Sequence, residues 1–179
     1  MKLASEYPCL IELEQSTQLQ VDLRSIDSAF KDKGLEQLFH SSYSHIAEIV
    51  SNVYQHAAHR PTWFVDWRLS VSQQDDLLYI SISDDGQGIM GSISRRHPEV
   101  YSDLDAIKLA LNINSRIAHR GKGFQELVKA VHTGQLHSLV IASGNCSLRA
   151  NTKKIDYIDS PYRDGTIVQM CVRWTGGAL

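Results

Sequence analysis

Residues 62–83 place the strongest constraint on the fold. TWFVDWRLSVS (62–72) and LLYISIS (77–83) are rich in β-branched and aromatic residues and flank the polar stretch QQDD. This pattern predicts a β-hairpin, because side chains alternate between faces along a strand and a short polar segment reverses the chain. A lone hairpin buries too little, so it calls for more strands and a covering layer.

The rest of the chain supplies both. CLIELEQ (9–15) and TQLQVDL (17–23) alternate like two short strands, and HSLVIAS (137–143), CSLRANT (146–152) and GTIVQMCVRW (165–174) extend the strand set near the other end. A mostly helical region is expected from about Ser28 to His59, ended by Pro61. DLDAIKLALN (103–112) spaces Leu104, Ile107, Ala110 and Leu111 as a helix would, and GFQELVKAVHTG (123–134) predicts another, with Gly134 as its stop signal. DDGQGIMGSISRRHPEV (84–100) reads as a loop. Hairpin-paired strands with interspersed helices predict an α/β (α+β) fold, a two-layer sandwich of a mixed sheet with helices on one face. No repeat or low-complexity linker divides the 179 residues, so one domain is expected over 1–179.

Composition narrows the function classes. Against 18 Lys+Arg stand 20 Asp+Glu, a formal net charge of −2, so no broad polyanion-binding surface is advertised and a nucleic-acid partner is disfavoured. No apolar run is long enough to cross a bilayer, and MKLASEYPCLIELEQ carries acidic residues where a secretion signal would be apolar. Cys9, Cys146 and Cys171 are far apart and outside CxxC spacing, which predicts reduced, partly buried thiols. The expectation is a cytoplasmic protein without a membrane partner.

Chemistry-bearing residues fall in separate stretches. In HIAEIVSNVYQHA (45–57), Ile46, Ile49, Val50 and Val53 form one apolar side of a helix, while Glu48, Asn52 and His56 recur every four residues beside it. That row suits the side of a cleft, and equally a solvated helix face. ISDDGQGI (82–89) ends a strand at Asp84, whose carboxylate can accept from an amino group, and Gly86 and Gly88 allow close backbone approach to a ligand before Ile89. It serves as well as an ordinary turn, and it lacks the spaced ligands of an EF-hand. SRIAHRGKGFQELVKAV (115–131) brings Arg116, Arg120, Gly121, Lys122 and Gly123 to the start of a helix, just before Phe124, where free N–H groups favour an anion. A basic surface loop would look the same. DGTIVQM (164–170) opens a strand with Gly165 and Thr166.

Taken in order, the E-N-H helix, the strand-end DxGxG, the glycine-bearing helix start and the final GT strand resemble the N, G1, G2 and G3 boxes of the GHKL ATP-binding superfamily. The resemblance spans residues 48–166 and is nearest to stand-alone anti-sigma-factor-type serine kinases. It implies the Bergerat ATP-binding fold of HATPase-type domains, a two-layer sandwich of left-handed βαβ type, with a lid over about 90–123. By that likeness ATP and Mg²⁺ are the cofactors. Asn52 would bind Mg²⁺ bridging the phosphates, Asp84 would read the adenine amino group, and Gly86, Gly88 and Ile89 would pass beside the nucleotide. Gly121, Lys122 and Gly123 would face the phosphates, Arg120 and Phe124 would also belong to the nucleotide site, and Thr166 would supply a hydroxyl near the base. Glu48 would be the catalytic base, as in the ATPases and serine kinases. Sensor histidine kinases usually carry Asn there, and no histidine-bearing dimerisation hairpin precedes it, so histidine kinase activity is disfavoured. His56 is similar to the residue of the compact kinase-type members and would count among the nucleotide-binding residues.

The implied function is ATP hydrolysis or Ser/Thr phosphorylation of a partner in a regulatory switch. The alternative is a non-catalytic module that senses ATP or ADP through its lid. Implied partners are ATP or ADP and a regulatory protein, often a STAS-type domain, with a homodimer left open. The chain departs from the pattern at His119, where a fuller G2 box has glycine, and in a longer lid carrying Arg95, Arg96 and His97.

Overall fold

A computed structural model of the chain describes residues 7–18, 21–60, 63–112 and 123–174. The strands are β1 (Cys9–Ser16), β2 (Asp66–Gln74), β3 (Leu77–Asp84), β4 (Ser138–Asn151) and β5 (Ile155–Arg173), and they form one sheet in the order β1-β2-β3-β5-β4. The helices are α1 (Leu23–Asp32), α2 (Glu36–Asn52), α3 (Gly88–Ser94), α4 (Asp103–Asn112) and α5 (Gly123–His132), and α2 runs on into a π-helical turn over Val53–Ala57.

The expected hairpin is present as β2 and β3, paired from Trp67↔Asp84 to Gln74↔Leu77. The two residues between the last pair turn the chain, with Asp75 at φ 52°, a conformation that the short polar side chain of Asp tolerates. The sheet is antiparallel in all four pairings, not mixed as expected. β5 returns between β3 and β4 and opposes both, so every neighbour runs the other way.

Alternation decides which face is covered. Trp67, Leu69, Val71, Ile80, Ile82, Val168 and Met170 join one core with Phe30, Ile46, Val50, Ile107 and Leu127 from the helices. Tyr79 and Cys171, paired across β3 and β5, lie in a small separate cluster with Tyr7 and Leu77. The helices therefore cover one face, as the two-layer expectation required. Burial of Ile80 and Ile82 contributes about 1.5–3 kcal/mol each before entropy is counted. Gly134, at φ +77°, stops α5 as expected. Cys9 is exposed, unlike the buried Cys146 and Cys171, and all three thiols are free.

Other elements differ from expectation. Among the described residues of TQLQVDL none belongs to a strand. Asp22 instead caps α1, its carboxylate accepting from the Arg24 N–H at 3.0 Å, so Ile26 and Phe30 fall on one helical face and are buried. The stretch read as a loop after Asp84 contains α3, whose Ile89 and Ile93 are four apart and pack into the core. The two strands expected over 137–152 are one strand, β4, with irregular register around Gly144, where φ is +59°. The Asp103 carboxylate packs on Gly144 and accepts from the Asn145 N–H at 2.9 Å. No helix among the described residues is long and apolar enough to cross a membrane.

Candidate functional site

A cavity of about 770 Å³ opens between the C-terminal half of α2 with its π turn, α3, the start of α5, and strands β3 and β5. Glu48, Asn52 and His56 all line it. The apolar side of α2, with Ile46, Ile49 and Val50, is buried in the core, which turns the polar row sideways. From Glu48 to Asn52 the row rises about 6 Å at 1.5 Å per residue, and His56 follows in the π turn.

The π turn contributes to this arrangement. It carries His56, and its closing carbonyls are taken up by the loop after β3. The Gln87 backbone N–H donates to the Ala57 carbonyl at 2.8 Å, and its side-chain amide donates to the His56 and Ala58 carbonyls at 2.6 and 3.1 Å. These are the acceptors that a helix end leaves without intrahelical partners. Gly86 makes this close approach feasible, since a Cβ there would lie 2.7 Å from the Ala57 Cβ. Gly86 thus faces the π turn and is not among the residues that line the cavity.

The floor comes from the strand ends. Asp84 is 9% exposed and lies opposite Thr166 in the β3–β5 register. Its carboxylate accepts from the Gly86 N–H at 2.9 Å. Burial pushes its pKa up to about 6, against the downward pull of the Gly86 and Thr166 backbone N–H groups; Asp85 raises it further and Arg163 lowers it. Ile82, Val168 and Ile89 supply apolar surface next to it.

Gly88, also on the lining, has φ +70°, and a Cβ there would be 2.7 Å from the Ser143 hydroxyl. Ser143 accepts from the Ile89 N–H at 2.9 Å and donates to the Gly165 carbonyl at 3.1 Å, tying the start of α3 to β4 and β5. Gly165 is at φ +66°, with its Cα against the Asp84 backbone carbonyl.

Gly123 and Phe124 line the cavity at the start of α5. A Cβ on Gly123 would fall on the Glu48 carboxylate, so Glu48 lies against the end of α5 where unpaired N–H groups favour negative charge. Arg116, His119, Arg120, Gly121 and Lys122 lie outside the described residues.

The residues singled out in the sequence thus converge. Glu48, Asn52, His56, Asp84, Gly88, Ile89, Gly123, Phe124 and Thr166 share one cavity. Ser143 had no signal in the sequence, being one serine in a strand. Arg95, Arg96 and His97, which carry no assigned role in the sequence beyond a longer lid, also line the cavity. Among the described residues, no group of three or more His, Cys, Asp or Glu side chains could hold a metal ion. The lining combines a buried hydrogen-bond acceptor beside apolar walls, a carboxylate and an amide one helical turn apart, and exposed cations. No protein-family model matches the sequence, and no curated protein matches it significantly.

Proposed function

We propose that the cavity binds ATP with Mg²⁺, in the manner of the GHKL superfamily that the sequence resembles, and that the protein hydrolyses ATP or phosphorylates a Ser/Thr of a partner. One observation carries this: Glu48, Asn52, His56, Asp84, Gly123 and Thr166, from four separate stretches of sequence, line one cavity. Asp84 would accept from the amino group of adenine, with Ile82, Ile89 and Val168 against the base and Thr166 beside it. Asn52 would hold the magnesium ion. With no cluster of three metal-ligating side chains among the described residues, phosphate and water oxygens would complete the octahedron, which is ordinary for magnesium. The bound ion would neutralise charge on the phosphates. Glu48 would take the proton of an attacking water or hydroxyl.

The packing of Glu48 on Gly123 favours a second reading. There the carboxylate anchors α5, and the protein reports ATP or ADP to a partner without turnover.

Titration calorimetry of the full chain with ATP, ADP and GTP, with and without Mg²⁺, tests the binding reading, and phosphate release tests turnover. Binding of adenine nucleotides in preference to GTP is expected, with turnover lost and binding kept in Glu48→Gln. Absence of nucleotide binding would sink the proposal. Binding without turnover by the wild type, alone and with candidate partners, would leave the sensing reading.

A further inference from the structure

We infer that Arg95 and Arg96, at the end of α3, form an anion-binding rim that takes the phosphate chain of the nucleotide. This rests on the nucleotide reading of the same cavity and adds residues to which no role has been assigned.

Both arginines line the cavity and both are exposed. None of the ion pairs among the described residues involves either one. Arg95 donates from Nη2 to the Gln87 side-chain oxygen at 3.0 Å, a neutral acceptor that orients the guanidinium without compensating its charge. Gln87 is itself fixed to the π turn through the carbonyls of His56, Ala57 and Ala58. The Arg95 head group is therefore held by a hydrogen-bonded chain that runs back to α2. His97 also lines the cavity, but its Nδ1 lies 3.0 Å from the Glu99 carboxylate, which compensates any charge it carries.

A cation at the end of a helix is favoured by the macrodipole whether or not it has a ligand. That accounts for an arginine at this position and not for the pair facing a cavity. The cavity also carries Glu48 and Asp84, and carboxylates repel a phosphate chain unless fixed cations offset them. Among the described lining residues, Arg95 and Arg96 are the side chains that keep a positive charge at every working pH. Their planar forks match phosphate oxygens in pairs.

The test is calorimetric binding of ATP, ADP, AMP, adenosine and inorganic tripolyphosphate to the full chain, as wild type, Arg95→Ala, Arg96→Ala, the double alanine variant and Arg96→Lys. Each alanine substitution should weaken ATP binding by about tenfold or more, with a smaller loss for AMP and none for adenosine. Tripolyphosphate should compete with ATP on the wild type and fail to bind the double variant. Arg96→Lys should recover part of the loss. Unchanged ATP affinity in the double variant overturns the rim and leaves the nucleotide reading intact. So does an equal loss for ATP and adenosine, which marks a change of shape rather than lost charge pairing. A wild type that binds neither ATP nor adenosine overturns the nucleotide reading, and this inference falls with it.

Discussion

On the floor of the cavity Asp84 is buried and held by backbone N–H groups from its own loop and from β5. On the rim Arg95 and Arg96 are exposed, and Arg95 is tethered to the rest of the molecule through Gln87. A buried, pre-oriented acceptor can discriminate between ligands, because an ill-matched partner leaves it unpaired. Exposed cations discriminate poorly but attract and retain charge. On the proposed reading the cavity divides these tasks between sheet and helix, so damage to the two parts should look different.

The largest effect is expected on the floor. Gly165→Val introduces a β-branched residue at φ +66° and drives its Cβ into the Asp84 carbonyl. A loss of about 4 kcal/mol or more is expected, read as a collapse of the thermal transition. A normal melting curve would mean that the floor is looser than described.

Asp84→Asn should act in the opposite sense. The folded protein holds the Asp84 proton more tightly than the unfolded chain does, with a pKa near 6 against 3.8. The wild type should therefore lose stability as pH rises from about 4 to about 6, by roughly 3 kcal/mol in all. Asp84→Asn should flatten that slope and match or exceed wild-type stability at pH 7, while its adenine nucleotide affinity falls. Parallel melting profiles from pH 4 to 8 would contradict the burial assigned to Asp84.

The smallest effect is expected on the rim. The double Arg95→Ala, Arg96→Ala variant should change folding stability by no more than about 0.5 kcal/mol. A larger drop in denaturant midpoint would make the rim structural, and the contrast with the floor would vanish.

Legibility followed the same division. The β2–β3 hairpin, α4 and α5 were readable because their periodicity agrees with their packing, and Asp84, Thr166, Glu48 and Asn52 were readable because they stand at element ends or on a defined helix face. TQLQVDL misled because seven alternating residues fit a strand while Asp22 can cap a helix, and the cap prevails once Ile26 and Phe30 find the core. α3 was hidden by its two glycines and short length, although Ile89 and Ile93 carry helical spacing. Ser143 acts through contacts with α3 and β5 that no local pattern encodes.

The π turn at the end of α2 has a consequence for chain length. Each residue of a helix advances the chain by about 100°, and a π turn holds one more residue than the α-helical turn it replaces. Deleting any single residue from 53–57 would restore ordinary α-helical phase and swing everything beyond it out of step, with the carbonyls that Gln87 clasps carried away from the loop. The number of residues in this turn therefore matters as much as their identity.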